Sequence, residues 1–217
     1  MPARMQRSVI ASLAVGVLLG IPSGALAQGG SSSGQPGRAL SEAERSALVA
    51  GRTVSRALRF SRRGGSYVGG VAYQVVRATP GEVLRVLADV AALPAALPRT
   101  ERAELVSSDG RSARIELVQG KAPFVVKYTI HLEQDPSGES IRFWLDPTRP
   151  HDVKDVWGYF RVQEFGHQHT LVTMAVALDL GPGLPRMLFE DRVERAILRA
   201  PANLRAFVEP RALAAAP

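Results

Sequence analysis

The chain contains no cysteine. Disulfides, thiol catalysis, zinc–thiolate centres and iron–sulfur clusters are therefore excluded. Lysine is nearly as scarce: only Lys121, Lys127 and Lys154 occur, so arginine carries the basic charge. The arginines are scattered, with no Lys/Arg-rich run and no stacking motif, and nucleic acid is not an expected partner. There is no G-x-S-x-G elbow for a serine nucleophile. Neither G-x-x-x-x-G-K-[ST] nor G-x-G-x-x-G is present to cradle a phosphate. The longest apolar run, Val9 to Ile21, is 13 residues, short of the roughly 20 that span a bilayer.

That short run has a different explanation. Arg4 and Arg7 precede it with no acidic residue, Pro22 and Gly24 break it, and Ala25-Leu26-Ala27 follows as a small-x-small exit. Positive start, short apolar middle and small-residue exit define a secretory signal. Residues 1–27 are expected to be removed and the product to be periplasmic or extracellular. Losing Arg4 and Arg7 takes the net charge from +7 to +5. A moderately basic exported protein can make peripheral contact with an acidic membrane. About 190 mature residues suit one domain with a sizeable core.

Residues 28–39 (QGGSSSGQPGRA) read as a flexible linker. Residues 40–66 read as an N-terminal helical extension. Ser41 caps a short helix reaching about Ala50, and a mixed, basic stretch runs to the Arg62–Gly65 turn. The main domain, 67–209, opens with a strand in which Val71, Tyr73 and Val75 alternate. Thr79-Pro80-Gly81-Glu82 starts a helix, with Thr79 and Glu82 as a capping box and Pro80 at the first helical position. Six antiparallel strands are expected next. The clearest is 124–133, with Phe124, Val126, Tyr128, Ile130 and Leu132 on one face and Lys127, Thr129, His131 and Glu133 on the other. A long helix follows Gly181–Pro185, with Leu184, Leu188, Val193, Ile197, Leu204 and Val208 at helical spacing and a bend expected at Pro201. Residues 210–217 are left as a tail.

The fold class is therefore α+β. The one-sided strands are best buried by curling the sheet around the last helix. With that order, four segments carry a family resemblance: Ala78–Val83, Asp89-Val90 through Leu97-Pro98, Gly158-Tyr159-Phe160 and Thr170–Thr173. With the closing helix, they make residues 67–209 resemble the START-like superfamily, also called SRPBCC or helix-grip. The branch resembled is that of polyketide cyclases/dehydrases and ubiquinone-binding proteins. The resemblance implies a seven-stranded antiparallel sheet wrapped around a long C-terminal helix, with a cavity for lipids, quinones or polyketide-like molecules between them. No cofactor is implied, and the clustered metal ligands of the Rieske-type branch are missing.

The resemblance also brings loops 119–123, 146–151 and 181–185 to one end, the expected cavity mouth. Gln119, Lys121, Asp146, Arg149, His151 and Asp152 are the polar groups there. Prolines 147 and 150 stiffen the second loop, and His151 beside Asp152 has the make-up of an acid–base pair, with Arg149 for an oxyanion. The competing reading is a rigid turn with a local ion pair. His167-x-His169 lacks a third ligand in sequence, so no metal is expected. Phe124, Tyr128, Ile130, Phe143, Phe160, Met174, Met187 and Leu188 form an inward set that either lines a cavity or fills a core. Met174 and Met187 add adaptable surface, and a buried Tyr128 hydroxyl needs a partner. By strand parity Trp144, Trp157 and Tyr159 face outward, and segment 40–62 is expected to cover part of that face. The function expected is an exported carrier of a hydrophobic small molecule, with a cyclase or dehydratase at His151, Asp152 and Arg149, or an interaction domain with a filled core, as alternatives.

Overall fold

The computed structural model describes residues 38–122, 124–181 and 186–215, with side chains described for 38–122, 124–181 and 190–214. The expected signal, and all but the last two residues of the expected linker, lie outside the described residues.

Helix α1, Glu42–Val49, starts as the sequence indicates. Ser41 Oγ accepts from the Glu44 amide at 3.2 Å, and the Glu44 carboxylate accepts from the Ser41 amide at 2.7 Å. Strands β1 (Val54–Arg62) and β2 (Gly65–Val76) form a hairpin. Helix α2 (Pro80–Ala88) carries the expected capping box between Thr79 and Glu82, and Leu93–Ala96 makes the one-turn helix α3. Six strands follow: β3 (Thr100–Ser108), β4 (Ser112–Lys121), β5 (Phe124–Gln134), β6 (Ser140–Leu145), β7 (Asp155–Glu164) and β8 (Thr170–Asp179). Helices α4 (Arg186–Leu198) and α5 (Ala200–Ala215) close the described chain.

All the strands join one antiparallel sheet in the order β1-β2-β8-β7-β6-β5-β4-β3. The sheet has eight strands, against the seven expected. The extra one is β1, in the stretch read as part of a helical extension. Its sequence, VSRALRFSR, is too charged to show a buried face. It becomes ordered because β2 supplies nine registered partners and because Arg59 meets Asp191 and Glu194 of α4 at 2.5 and 2.8 Å. The expected long helix is two. Proline 201 has no amide hydrogen to give the Ile197 carbonyl, and the chain breaks between Leu198 and Ala200. Helix α5 also runs through Pro210, into the residues read as a tail.

The sheet grips α5. Ala200, Leu204 and Val208 pack with Ala72, Val76, Val172, Met174 and Phe160 in one buried cluster. A second cluster joins Leu93 to Ile115, Leu117, Tyr128, Ile130 and Leu145. Four side chains border both clusters yet stay only partly buried: Leu97, Leu132, Phe143 and Val176. They face a gap between the two.

The outer face behaves as strand parity indicates. Trp144, Trp157 and Tyr159 are 39, 37 and 36 % exposed, and Trp144 sits opposite Trp157 in the β6–β7 register. Segment 40–62 covers part of this face. Phe60 of β1 stacks on Tyr67 and meets the edge of Trp157, while Arg56 lies over Tyr73 and holds Glu44 of α1.

Candidate functional site: a hollow between sheet and helices

The gap between the two clusters is a cavity of about 470 Å³, within the usual range for small-molecule sites. One wall is the inner sheet face, with Tyr128 and Ile130 from β5, Phe143 from β6, Phe160 from β7, and Met174 and Val176 from β8. The other wall is helical, with Leu87 of α2, Leu93 and Leu97 around α3, and Val193 and Ile197 of α4. A row of cross-strand neighbours shapes the inner sheet face. Phe143 pairs with Gly158, Gly158 with Val176, and Val176 with Gly70. Gly70 and Gly158 carry no side chain, and the Phe143 ring lies against Gly158.

The exposed lining residues mark the opening: Arg99, Lys121, Ala122, Phe124 and Arg192. Its shape depends on two backbone positions. Gly120 has φ 135°, and a Cβ there would fall 2.1 Å from the Phe124 carbonyl oxygen, so only glycine fits this hairpin. Its amide donates to the Arg99 carbonyl at 2.8 Å. Arg99 itself has φ 55°, a left-handed conformation uncommon outside glycine, asparagine and aspartate.

Inside, the polar groups are few. Tyr128, fully buried, donates its hydroxyl hydrogen to Gln119 Oε1, and Gln119 Nε2 donates to Thr100 Oγ1 at 2.8 Å. Burial pushes the Tyr128 phenol above its ordinary pKa. This small chain of hydrogen bonds is the polar feature of an otherwise greasy interior.

Eight of the residues singled out from sequence line the cavity: Gln119, Lys121, Phe124, Tyr128, Ile130, Phe143, Phe160 and Met174. Met187 and Leu188 fall in the first turn of α4, whose side chains are outside the described residues. Asp146, Arg149 and His151, together with Asp152, do not line it. Their loop shares an end with the opening, as expected, but runs along the free part of β5. The Asp146 amide donates to the Thr129 carbonyl and that of Asp152 to the Lys127 carbonyl, at 2.8 and 2.9 Å. Leu145 still points inward, so the next residue points out.

On that outer face Asp146 is wholly buried. Its Oδ1 accepts from the Thr148 hydroxyl at 2.6 Å, which, with smaller help from His131 and Arg114, holds the carboxyl below its ordinary pKa. Its Oδ2 has Arg114 and His131 nitrogens at 3.4 Å but no hydrogen bond. Arg149 donates to Thr129 Oγ1 and faces Glu116, His151 Nδ1 contacts the Val153 carbonyl oxygen at 2.6 Å, and Asp152 accepts from the Lys127 amide. The three residues of the acid–base alternative thus make structural contacts away from the hollow. Among the described residues no group of three or more His, Asp or Glu side chains is placed to hold a metal ion.

Sequence reasoning did not name Arg99, Arg192, Leu93 or Leu97 as site residues, and it placed Val193 and Ile197 on an apolar helix face without assigning them to the site. Arg192 was recoverable, since it precedes Val193 and Ile197 on the face already read as apolar. Arg99 carried no signal, because its direction depends on its unusual backbone angle.

A curved antiparallel sheet, a gripped C-terminal helix and an apolar hollow between them define the helix-grip class of START-like proteins. Residues 70–209 match the family described as "Polyketide cyclase / dehydrase and lipid transport", and the chain belongs to that family. Solved structures sharing the fold include a protein of Thermus thermophilus, with TM-score 0.57 and 23 % identity over 68 % of this chain and 98 % of that one. The Zhui aromatase/cyclase from Streptomyces sp. R1128 superposes with TM-score 0.56 and 18 % identity over 68 % and 93 %. The STAR-related lipid transfer protein from Xanthomonas axonopodis gives 0.57 and 16 % over 71 % and 98 %. No curated protein matches the chain in sequence.

Proposed function

We propose that this protein is an exported, non-catalytic carrier of a hydrophobic small molecule, held between the inner sheet face and helices α2 to α5. The observation that carries the reading is the hollow itself, about 470 Å³, walled by aliphatic and aromatic side chains with few polar groups. Such a space exposes apolar surface unless a guest fills it, and covering that surface is favourable by about 25 cal/mol per Å². The lipid-transport half of the family description supports the reading, as does the fold shared with a lipid transfer protein. Export to the periplasm or the medium rests on residues 1–27. The acid–base reading of His151, Asp152 and Arg149 has no comparable support, since none of the three faces the hollow.

The test is native mass spectrometry of the mature protein, organic extraction of any bound guest, and titration with a hydrophobic fluorescent dye. A co-purifying amphiphile or saturable dye binding is expected. Val176→Trp, which places an indole in the hollow, should cut dye binding at least tenfold. Absence of both guest and dye binding would refute the proposal.

A further inference from the structure

The opening of the hollow carries charge of one sign. Arg99, Lys121 and Arg192 line it, and among the described residues no aspartate or glutamate does. All three are exposed, whereas Gln119 is half-buried and Tyr128 is buried. The cations therefore stand at the rim and the interior is left to apolar side chains. They come from both walls. Arg99 and Lys121 flank the hydrogen bond that ties Gly120 to Arg99, while Arg192 belongs to α4, directly before the lining residue Val193.

Several other arginines of this protein are matched with acids, while others on the surface, such as Arg62 and Arg111, are not matched with any among the described residues. Arg59 meets Asp191 and Glu194, Arg142 meets Glu133, Arg149 meets Glu116, and Arg205 meets Glu209. No carboxylate among the described residues lies within ion-pair distance of Arg99, Lys121 or Arg192. Arg99 also holds a backbone angle that side-chain-bearing residues adopt at a cost, and such strain tends to gather where ligands are held.

We infer that the guest is an amphiphile with an anionic head, a carboxylate or a phosphate, whose chain fills the hollow and whose head rests among Arg99, Lys121 and Arg192. Three like charges beside low-dielectric walls focus their field on the opening. A guanidinium matches the two oxygens of a carboxylate or phosphate with paired donors. A neutral head gains only hydrogen bonds of the Gln119 kind, and a cationic head is repelled. The inference rests on the carrier reading and adds the chemistry of the head to it.

Binding of palmitate, cetyl phosphate, cetyl alcohol and cetylamine to the mature protein, by dye displacement below their aggregation thresholds, tests this. At low salt the two anions are expected to bind at least tenfold tighter than the alcohol, and the amine more weakly than the alcohol. Comparison of palmitate with cetyl phosphate separates a fatty-acid from a phosphate head. The anion-to-alcohol ratio should shrink with added salt. It should also fall severalfold in a triple variant, Arg99→Asn, Lys121→Gln and Arg192→Gln, with asparagine chosen because it tolerates the left-handed angle. Equal binding of all four heads would overturn the inference and leave the carrier reading standing. An undiminished ratio in the triple variant would also overturn it. Failure of all four to bind, with no dye binding either, would remove both.

Discussion

Arg56 grips Glu44 through two donors, Nη2 at 2.9 Å and Nε at 3.2 Å, and so fastens helix α1 to the outer face of the sheet. The arginine side chain is 4 % exposed and the glutamate 20 %. Arg56 also donates to the carbonyls of Arg38 and Ala39. The hydrogen bond from Arg56 is the main cause that lowers the Glu44 carboxyl from 4.5 to about 2. A carboxyl depressed on folding adds stability above its unfolded pKa, and that stability drains away as pH falls through the folded value. Glu44→Gln should therefore melt several degrees below wild type at about pH 5 and above, and the gap should close toward pH 2. Parallel melting curves over that span, with a constant gap, would contradict the assignment.

Removing residues 38–62 tests the added strand. The deletion takes away β1, which pairs with β2 through nine residue positions, and α1, which covers part of the outer face. It would bare a long edge at β2 and the outward Val71 and Val75, now 6 and 8 % exposed. Open, flat edges of this sort recruit other chains. The truncated protein is expected to aggregate, as read by light scattering and size-exclusion chromatography. A monodisperse truncated protein as stable as the undeleted one would argue that β1 and α1 are ornaments.

Tyr128→Phe tests the polar feature inside the hollow. The change removes the donor to Gln119 Oε1 and should cost about 1 kcal/mol in denaturant unfolding. The phenol is raised above 10.0 by burial. A group raised on folding contributes fully below its unfolded pKa, and that contribution declines as pH climbs toward the folded value. The stability gap between wild type and Tyr128→Phe should thus narrow above pH 10.0. A gap that widens there would mean the hydroxyl ionises more readily in the folded protein.

Much of this architecture was legible from alternation and capping. The Thr79–Glu82 box forms as drawn, and the parity of 124–132 turns Tyr128 and Ile130 inward. Strand β1 was hidden because Arg56, Arg59 and Arg62 interrupt any hydrophobic period; tertiary structure answers Arg56 with α1 and Arg59 with α4. The helix break needed only Pro201. The candidate site was half legible. Inward strand residues follow a simple period of two, whereas the loop after Leu145 hugs β5 and Asp146, its first residue, turns outward. Arg99 owes its direction to one backbone angle, and no periodicity announces that.

Gly158 bears on the room inside the hollow. A methyl group there would sit 2.3 Å from the Ala175 carbonyl oxygen and 2.6 Å from Phe143 Cζ, so a substitution must disturb both the pairing of β7 with β8 and the Phe143 ring. Phe143 lines the hollow, so its displacement alters the wall directly. Position 158 is therefore a gauge: by staying bare it keeps two strands in register and one ring in place, and with them the width of the space beneath.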